Sequence, residues 1–446
     1  MDESNNCHVC IVTYHMIPNT RIWGASQRMY YLANQLVDSG FDTTVVSGFY
    51  GEFKHEGKCS NFEHIPVLIK PVFIQAHQEK LTGKFATDSE VKVLKKLGFK
   101  SYILENLVKP VYRAMERLLF NDYGAVGLFM FLWNRQALPV ISEEIVKRNT
   151  KIIIFSGPYF TCFRLAFKIK KIYPHIKIVL DYRDPWNLLK KGSFITNKLE
   201  HKLLQIADSI TYFSEKFLDA MHDRYEIERG KGIVVYNGFD NALWNSIDNG
   251  PSQSRSDKLV ITYAGSDITF EPGSGRDPDA LIRAVTGSQL NEHVVLNLVG
   301  CKNLPEKNKN GNNSSDINFL PSVSHKRSLE ILSQSDVVVI LSSDEFPSDY
   351  TVTGKLFDGI RSGAYILGIA NSREIDYKKI IEKEGLGAGC YDDVCEIQNE
   401  LTTIYKSWQA GTLDRDIKKN SDDFSRISQN SKLINQVVAW SNETYN

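Results

Sequence analysis

The sequence predicts an α/β protein of two Rossmann-like, doubly wound domains that face a central cleft. Each half of the chain opens on a short apolar strand pattern, Cys7–Thr13 and Leu259–Tyr263, and continues with alternating helical and strand patterns. Between the halves, a stretch rich in Ser, Asn, Gly, Asp and Pro is typical of a linker. We therefore expect a first domain at 1–245, a linker at 246–258, a second domain at 259–423, and a C-terminal helix at 424–446 that can cross back to the first domain.

Composition and charge exclude several classes of protein. The chain has 446 residues, 42% of them hydrophobic and 24% charged, which is typical of a globular protein with sizeable cores. Its 53 basic and 53 acidic residues cancel, so no overall field favours nucleic acid as a partner. The N-terminus lacks the pattern of a signal peptide, and the longest uncharged apolar run, Ala125–Trp133, is too short to span a bilayer. We expect a cytoplasmic protein.

No metal site or cofactor is expected. Cys7 and Cys10 have the spacing of a zinc ligand pair, but they fall inside a strand pattern, where positions three apart face opposite sides. No second pair completes such a site, so buried thiols are the better interpretation. The seven cysteines are scattered along the chain, which is typical of a reducing compartment.

The most informative stretch begins with the apolar run Val337–Leu341, which predicts a buried parallel strand. A polar loop follows, then a helix predicted from Lys355 to Arg361. Ligands of open α/β sheets bind at the carboxyl ends of the strands. A helix that begins at Thr353-Gly354 directs backbone N–H groups and its positive dipole end toward that edge. Lys355 adds a cation, and Asp358 adds an acceptor for sugar hydroxyls, so the stretch predicts a seat for a nucleoside diphosphate.

Two alternatives bear on this stretch. A P-loop would need glycine at position 349 and a hydroxyl at 356, where the chain has Asp349 and Leu356, so the P-loop is excluded. An ordinary helix N-terminus with a solvated Lys and Asp is equally compatible with these residues alone.

A second candidate site follows the strand pattern Ile176–Leu180. The segment Asp181–Trp186 places three charged residues and a tryptophan at a strand's carboxyl end, where α/β enzymes commonly act. Pro185 keeps Asp184 out of helical geometry. We interpret Arg183 and Asp184 as catalytic candidates; the alternative is an internal ion pair that only shapes the loop.

Two glycine-containing loops are weaker candidates. Gly24 follows the first strand where a backbone can approach a ligand, but the full dinucleotide motif is absent. In the second half, Gly265 and Ser266 end the first strand, and a flexible loop with Arg276 follows. Either a ligand loop or a plain surface loop fits that segment.

A helical pattern from Glu90 to Leu119 is basic on balance. A basic amphipathic helix can lie on an anionic membrane surface, so peripheral contact with the cytoplasmic face of the membrane is one interpretation. A solvated helix face packed on the domain is the other.

Six motifs in order make the chain similar to a known family. They are Trp23–Arg28, similar to the pattern Gly-Gly-Ala-Ser-x-Arg; Ser156–Pro158; Leu180–Trp186; Leu199-Glu200 with Ala207-Asp208; Tyr236–Asp240; and Thr353–Asp358. Together with the opening strand, they resemble the GT-B fold glycosyltransferases of the large family 4 type, which build bacterial surface polysaccharides. The resemblance covers most of the chain.

The resemblance implies roles for individual residues. A nucleotide sugar would bind mainly to the second domain and the acceptor to the first. Thr353, Gly354 and Lys355 would hold the diphosphate, and Asp358 stands where the family has a ribose-binding glutamate. The other implied donor or reaction-site residues are Gly24, Arg183, Asp184, Gly265, Ser266 and Arg276, the last as a substitute for the arginine that Ser266 replaces.

The implied activity is transfer of a sugar from a nucleoside-diphosphate sugar to a saccharide or lipid-linked acceptor, with retention of anomeric configuration. No metal is expected, because Lys355 and the helix dipole can stabilise the charge of the leaving diphosphate. Two departures from the family motivate a non-catalytic interpretation: Tyr350 stands where an acid is usual, and Ser266 replaces an arginine. The alternatives are a nucleotide-sugar epimerase of the same architecture and a non-catalytic scaffold that binds a nucleotide sugar.

Overall fold

The computed structural model divides the chain into two compact units. The first comprises Met1–Phe213, Phe217–Val235 and Asn430–Asn446, and the second Ser214–Lys216 and Tyr236–Gln429. The structure describes residues 7–20, 23–49, 60–69, 109–122, 127–188, 192–247, 257–268, 277–301, 316–341, 350, 352–372, 374–413 and 421–443. Arg276, most of the predicted linker and the part of the predicted basic helix before residue 109 lie outside the described residues.

The first unit is organised around a parallel sheet of seven strands. Their order across the sheet is β3-β2-β1-β4-β5-β6-β7. The central strands consist almost entirely of buried residues, because helices cover both faces of a parallel sheet. The strands are β1 His8–Thr13, β2 Asp42–Gly48, β3 Glu63–Val67, β4 Ile152–Ser156, β5 Lys177–Asp181, β6 Ser209–Tyr212 and β7 Gly232–Val234.

Seven helices accompany this sheet. They are α1 Trp23–Asp38, α2 Lys109–Leu119, α3 Gly127–Arg148, α4 Arg164–Ile172, α5 Phe194–Ile206, α6 Glu215–Tyr225 and, at the end of the chain, α13 Arg426–Glu443. The apolar side of α13, through Leu433, Ile434, Val437 and Trp440, joins the core that α1 and β1 form. The last helix therefore contributes to the hydrophobic core of the first unit.

The second unit contains a parallel sheet of six strands in the order β10-β9-β8-β11-β12-β13. These strands are β8 Leu259–Ile268, β9 Val294–Cys301, β10 Asp316–Leu320, β11 Val337–Leu341, β12 Tyr365–Ala370 and β13 Gly387–Tyr391. The helices are α7 Asn241–Asn245, α8 Asp279–Thr286, α9 His325–Ser333, α10 Gly354–Ser362, α11 Asp376–Lys383 and α12 Val394–Gln409. Gly363 ends α10 in the left-handed conformation, with φ of 73°.

Both sheets reverse their winding beside their first strand. The chain moves outward from β1 on one side and then restarts at β4 on the other, and it does the same at β8 and β11. Such switch points create a crevice at the carboxyl ends of the strands, where α/β proteins bind ligands. The predicted fold class of two parallel, helix-covered sheets is confirmed.

No helix in the described parts of the chain combines the length and apolar character needed to cross a bilayer.

Candidate functional site

In the second unit, the chain fold brings Lys355 to Gly265. Lys355 lies in the first turn of α10, after β11, and Gly265 lies in β8, the neighbouring strand at the switch point. A Cβ added to Gly265 would lie 3.0 Å from Lys355 Nζ and 3.0 Å from Tyr263 Oη. Glycine is therefore the residue that leaves room here for the ammonium group.

Tyr263 holds the lysine side chain. Lys355 Nζ lies 3.5 Å from Tyr263 Oη and 4.9 Å from the centroid of its ring. The tyrosine itself is fully buried in the hydrophobic core of the second unit. A cation on an aromatic face is stabilised by the ring quadrupole, so the half-buried ammonium has a defined position.

The N-terminus of α10 offers backbone donors next to this cation. Thr353 occupies the N-cap position with extended dihedral angles, but its side chain does not cap the helix. The hydroxyl oxygen of Thr353 therefore does not compete for the N–H groups of the first turn. A Cβ added to the exposed Gly354 would meet nothing within 4 Å, so a ligand can approach the backbone closely there.

Asp358, one turn further along α10, contacts the rings of Trp244 and His325. Trp244 Nε1 donates to its Oδ1 across 3.3 Å, and His325 Nε2 lies 3.3 Å from its Oδ2. Trp244 belongs to α7 and is buried, whereas His325 begins α9 and is partly exposed. The carboxylate that the sequence predicted as a hydroxyl acceptor thus already accepts hydrogen bonds from the protein.

Three other predicted residues are described in part or not at all. Gly24 lies in the first turn of α1, and Ser266 lies in β8 near a break in its pairing with β9. Arg276 lies outside the described residues.

In the first unit, a buried ion pair lies at the carboxyl ends of the central strands. Arg28 in α1 contacts Asp181, the last residue of β5, at 2.8 Å, and both side chains are almost fully buried. Asp181 also accepts hydrogen bonds from Ser156 at 2.7 Å and from Thr211. Burial lowers the pKa of Arg28, and the charge of Asp181 opposes that shift.

Arg183 and Asp184 follow this pair directly. Arg183 is buried and donates from Nε to the carbonyl oxygen of Gly157, which follows β4. Desolvation lowers the pKa of Arg183, while Asp181 and Asp184 favour its charged form. Asp184 is half-buried at a bend of the chain. The structure thus places both predicted residues beside the Arg28–Asp181 pair, at the carboxyl end of the sheet.

The structure adds five residues to these sites that were not predicted from the sequence: Arg28, Asp181, Tyr263, Trp244 and His325. Asp181 and Arg28 lie inside two of the motifs named above. Asp181 could have been selected, because a charged residue at the end of a buried strand needs a partner. Tyr263 and Trp244 carried no such signal, because an aromatic residue in an apolar run is most often a core residue.

In the described residues, no group of three or more His, Cys, Asp and Glu is arranged to hold a metal ion. The second unit instead combines an ammonium group, a helix N-terminus and an unobstructed glycine. This combination can stabilise negative charge on a phosphate group.

Comparison with known proteins gives matches at the level of structure. No family model and no curated protein matches the sequence. The structure is similar to alpha,alpha-trehalose 6-phosphate synthase from Burkholderia multivorans, with a TM-score of 0.61, 11% identity and coverage of 99% of each chain. It is also similar to Anabaena HepE in complex with UDP and glucose, with a TM-score of 0.59, 11% identity and coverage of 97% and 100%. A candidate UDP-N-acetylglucosamine 2-epimerase from Listeria monocytogenes matches with a TM-score of 0.52 and 11% identity, over 98% of this chain and 97% of that one.

At these identities the likeness concerns the fold. Solved GT-B glycosyltransferases match this structure over nearly the whole length of both chains. The protein has the α/β architecture of the GT-B fold.

Proposed function

We propose that the protein is a glycosyltransferase that moves a sugar from a nucleoside-diphosphate sugar to a saccharide or lipid-linked acceptor. The observation that carries the proposal is the position of Lys355, in the first turn of α10 and against Gly265 and Tyr263 at the switch point of the second sheet. A GT-B fold with a phosphate-binding arrangement at that point fits a nucleotide-sugar donor. The glycosyltransferase neighbours, among them a complex with UDP and glucose, support the same class of donor.

The chemistry of transfer suits these groups. When the bond between sugar and phosphate breaks, negative charge accumulates on the leaving diphosphate. The N–H groups at the start of α10 and the ammonium of Lys355 are already oriented toward such charge, so they stabilise the transition state more than the ground state. Because the lysine and the helix dipole supply positive charge, the reaction proposed here needs no metal ion, and activity should survive treatment with EDTA.

In the first unit, Asp184 is the proposed contact for the acceptor hydroxyl, which it orients or deprotonates. Arg183 is the proposed partner of the reacting sugar. The buried Asp181 and Arg28 beside them hold this part of the chain in place. We infer retention of configuration by resemblance to the family; NMR spectra of the product, which report the anomeric configuration directly, test it.

An epimerase is the second candidate, since one structural neighbour carries that description. The experiment is to incubate the protein with a panel of nucleotide sugars, with and without a membrane lipid extract, and to measure released nucleoside diphosphate and isomerised donor. Release that depends on the acceptor supports transfer. An isomer formed without acceptor supports the epimerase, and binding without either product supports a scaffold.

The proposed acceptor is an intermediate of surface polysaccharide synthesis. A lipid-linked acceptor would bring the protein to a membrane, and the first unit has an exposed apolar surface that suits such contact. Five large apolar side chains are exposed on α2 and α5: Val111, Met115, Leu118, Phe194 and Ile195. The two helices are adjacent, because Ser193 Oγ donates to the carbonyl oxygen of Leu118 at 2.5 Å. We call these five residues the apolar patch.

Exposed basic residues accompany the apolar patch. Arg113 and Arg117 lie on α2, and Lys198 Nζ lies 5.9 Å from the Phe194 ring centroid. Exposed apolar side chains among cations are the combination that binds anionic lipid surfaces. The proposed peripheral contact with the cytoplasmic membrane face is assigned to this patch.

A further inference from the structure

Asp358, His325 and Trp244 form a constellation that the proposed reaction does not yet use. Its three members come from α10, α9 and α7, all in the second unit. Trp244 is fully buried, the Asp358 side chain is 19% exposed, and the His325 side chain is 42% exposed. The constellation therefore runs from the interior to the surface, and its outermost polar group is the imidazole of His325.

The contact with Asp358 determines which imidazole nitrogen carries a hydrogen. As a carboxylate, Asp358 accepts hydrogen bonds and donates none. Its Oδ2 lies 3.3 Å from His325 Nε2, so Nε2 carries the hydrogen. In a neutral imidazole with its hydrogen on Nε2, Nδ1 is an acceptor. Within the described residues, Nδ1 has no hydrogen-bond partner.

Trp244 makes this arrangement rigid. Its Nε1 donates to Asp358 Oδ1 at 3.3 Å, which fixes the carboxylate from the buried side. The guanidinium of Arg361 packs 5.7 Å from the centroid of the Trp244 ring and holds the indole in turn. The orientation of the His325 ring is thus set by side chains on two other helices.

The constellation is adjacent to the proposed diphosphate site. Asp358 follows Lys355 by one turn of α10, a distance of about 5 Å along the helix axis. His325 begins the helix that follows β10, so it too lies at the carboxyl edge of the sheet, where α10 begins after β11. In a nucleoside diphosphate, the ribose is bonded directly to the diphosphate, so a ribose beside α10 comes within reach of this edge.

We propose that His325 Nδ1 accepts a hydrogen bond from a ribose hydroxyl of the nucleotide donor, and that Asp358 is the positioning residue that orients the ring. This inference rests on the proposed function, because it needs a nucleoside diphosphate at α10. Asp358 contacts Trp244 through one oxygen and His325 through the other, and the imidazole adds a further acceptor nearer the surface.

The test is isothermal titration calorimetry with nucleotides that differ in one hydroxyl. The tightest binder among UDP, GDP and ADP is compared with its 2′-deoxy and 3′-deoxy forms and with inorganic pyrophosphate. His325→Ala should weaken the full nucleotide roughly five- to tenfold, which corresponds to one hydrogen bond. The substitution should not change the affinity for pyrophosphate or for one of the two deoxy nucleotides. These ligands lack the hydroxyl, so the native protein does not form the hydrogen bond with them either.

Three variants separate a ligand contact from a structural role. His325→Gln retains a donor toward Asp358 but no acceptor at the place of Nδ1, so it should bind as weakly as His325→Ala. Full affinity in His325→Gln would overturn the inference. Asp358→Asn keeps an acceptor for Trp244, and combined with His325→Ala it should add no further loss, since both act on one contact. Lys326→Ala, at the exposed neighbouring position, is the control and should bind normally.

The outcomes distinguish this inference from the proposed function. If the native protein binds none of the three nucleotides, both are overturned. If it binds one of them and Lys355→Ala abolishes that binding while His325→Ala does not weaken it, only the role of His325 is overturned. Equal weakening of the full and both deoxy nucleotides would also overturn that role.

Discussion

The ammonium of Lys355 lies 3.5 Å from the hydroxyl of Tyr263 and 4.9 Å from the centre of its ring. This contact joins the first turn of α10 to strand β8, which are 92 residues apart in the sequence. It holds the cation beside Gly265, where a Cβ would come within 3.0 Å of it. The position of the proposed phosphate-binding charge is therefore decided by the packing of two elements.

Replacing Lys355 with alanine should cripple turnover and leave the fold intact. The side chain is half-buried on the surface of a buried ring, so its removal leaves the apolar core unchanged. Loss of one charge that stabilises the leaving diphosphate should lower kcat by about 10²- to 10³-fold. Released nucleoside diphosphate measures turnover, and thermal unfolding measures the fold. Lys379→Ala, an exposed lysine of the same unit, is the control, and equal activity in both variants would contradict the assignment.

Gly354→Ala should separate stability from donor binding. A Cβ at this position meets nothing within 4 Å, and alanine suits the first turn of a helix, so the unfolding temperature should stay the same or rise slightly. If a diphosphate lies against this backbone, the added methyl group obstructs it, and affinity for the nucleotide should fall. Calorimetry checks the affinity. Gly230→Ala, where the nearest atom to a Cβ is 3.7 Å away, is a control that should not change it.

The Arg28–Asp181 pair should show strong coupling in urea denaturation. Asp181→Asn removes the charge that balances a buried guanidinium, so we expect a loss of about 3–5 kcal/mol in the free energy of unfolding. Adding Arg28→Met removes the uncompensated cation and should restore part of that loss. Additive effects of the two substitutions would show that the pair contributes no coupling energy.

Glu116 should make stability depend on pH. This buried carboxylate accepts a hydrogen bond from the backbone N–H of Gly127 at 2.9 Å, at the start of α3. Desolvation, opposed by that hydrogen bond, raises its pKa from 4.5 to about 7. The folded state thus binds more protons than the unfolded state between these values. The contribution of Glu116 is complete below pH 4.5 and is lost as pH rises through 7, by about 3 kcal/mol.

A comparison with Glu116→Gln isolates this effect. Glutamine keeps an acceptor for Gly127 but does not titrate, so the stability of the variant relative to the native protein should rise between pH 4.5 and pH 8. Desolvation lowers the pKa values of His8 and His64 to about 4, which acts in the opposite direction but equally in both proteins. Parallel pH profiles for the two proteins would contradict the assignment.

Substitution in the apolar patch should abolish binding to anionic lipid vesicles. Phe194 is 80% exposed, so Phe194→Asp costs little in stability but places a negative charge on the patch. Flotation with vesicles of phosphatidylglycerol should recover the native protein and lose the variant, whereas phosphatidylcholine should bind both weakly. Val146→Asp is the matched control, because Val146 is also strongly exposed, at 73%. It lies near the far end of α3, 19 positions after the first residue Gly127, which is roughly 28 Å along the helix. Equal loss in the control would contradict a local patch.

The sequence predicted the alternation of strands and helices because buried strands and amphipathic helices have distinct apolar periods. It did not predict β3, β10 or β13, which are edge strands of their sheets. β3 contains Pro66, and all three are largely half-exposed, so they lack the continuous apolar run that marks a central strand.

What the sequence alone determined is the fold class and the local chemistry at the start of α10, where a helix end and Lys355 are adjacent along the chain. Only the tertiary structure decided which distant side chains meet these groups: Tyr263 against Lys355, Trp244 and His325 against Asp358, and Arg28 against Asp181. The physical reason is that periodicity and spacing encode contacts within one element, whereas pairing across elements depends on how parallel strands bring their ends to a common edge.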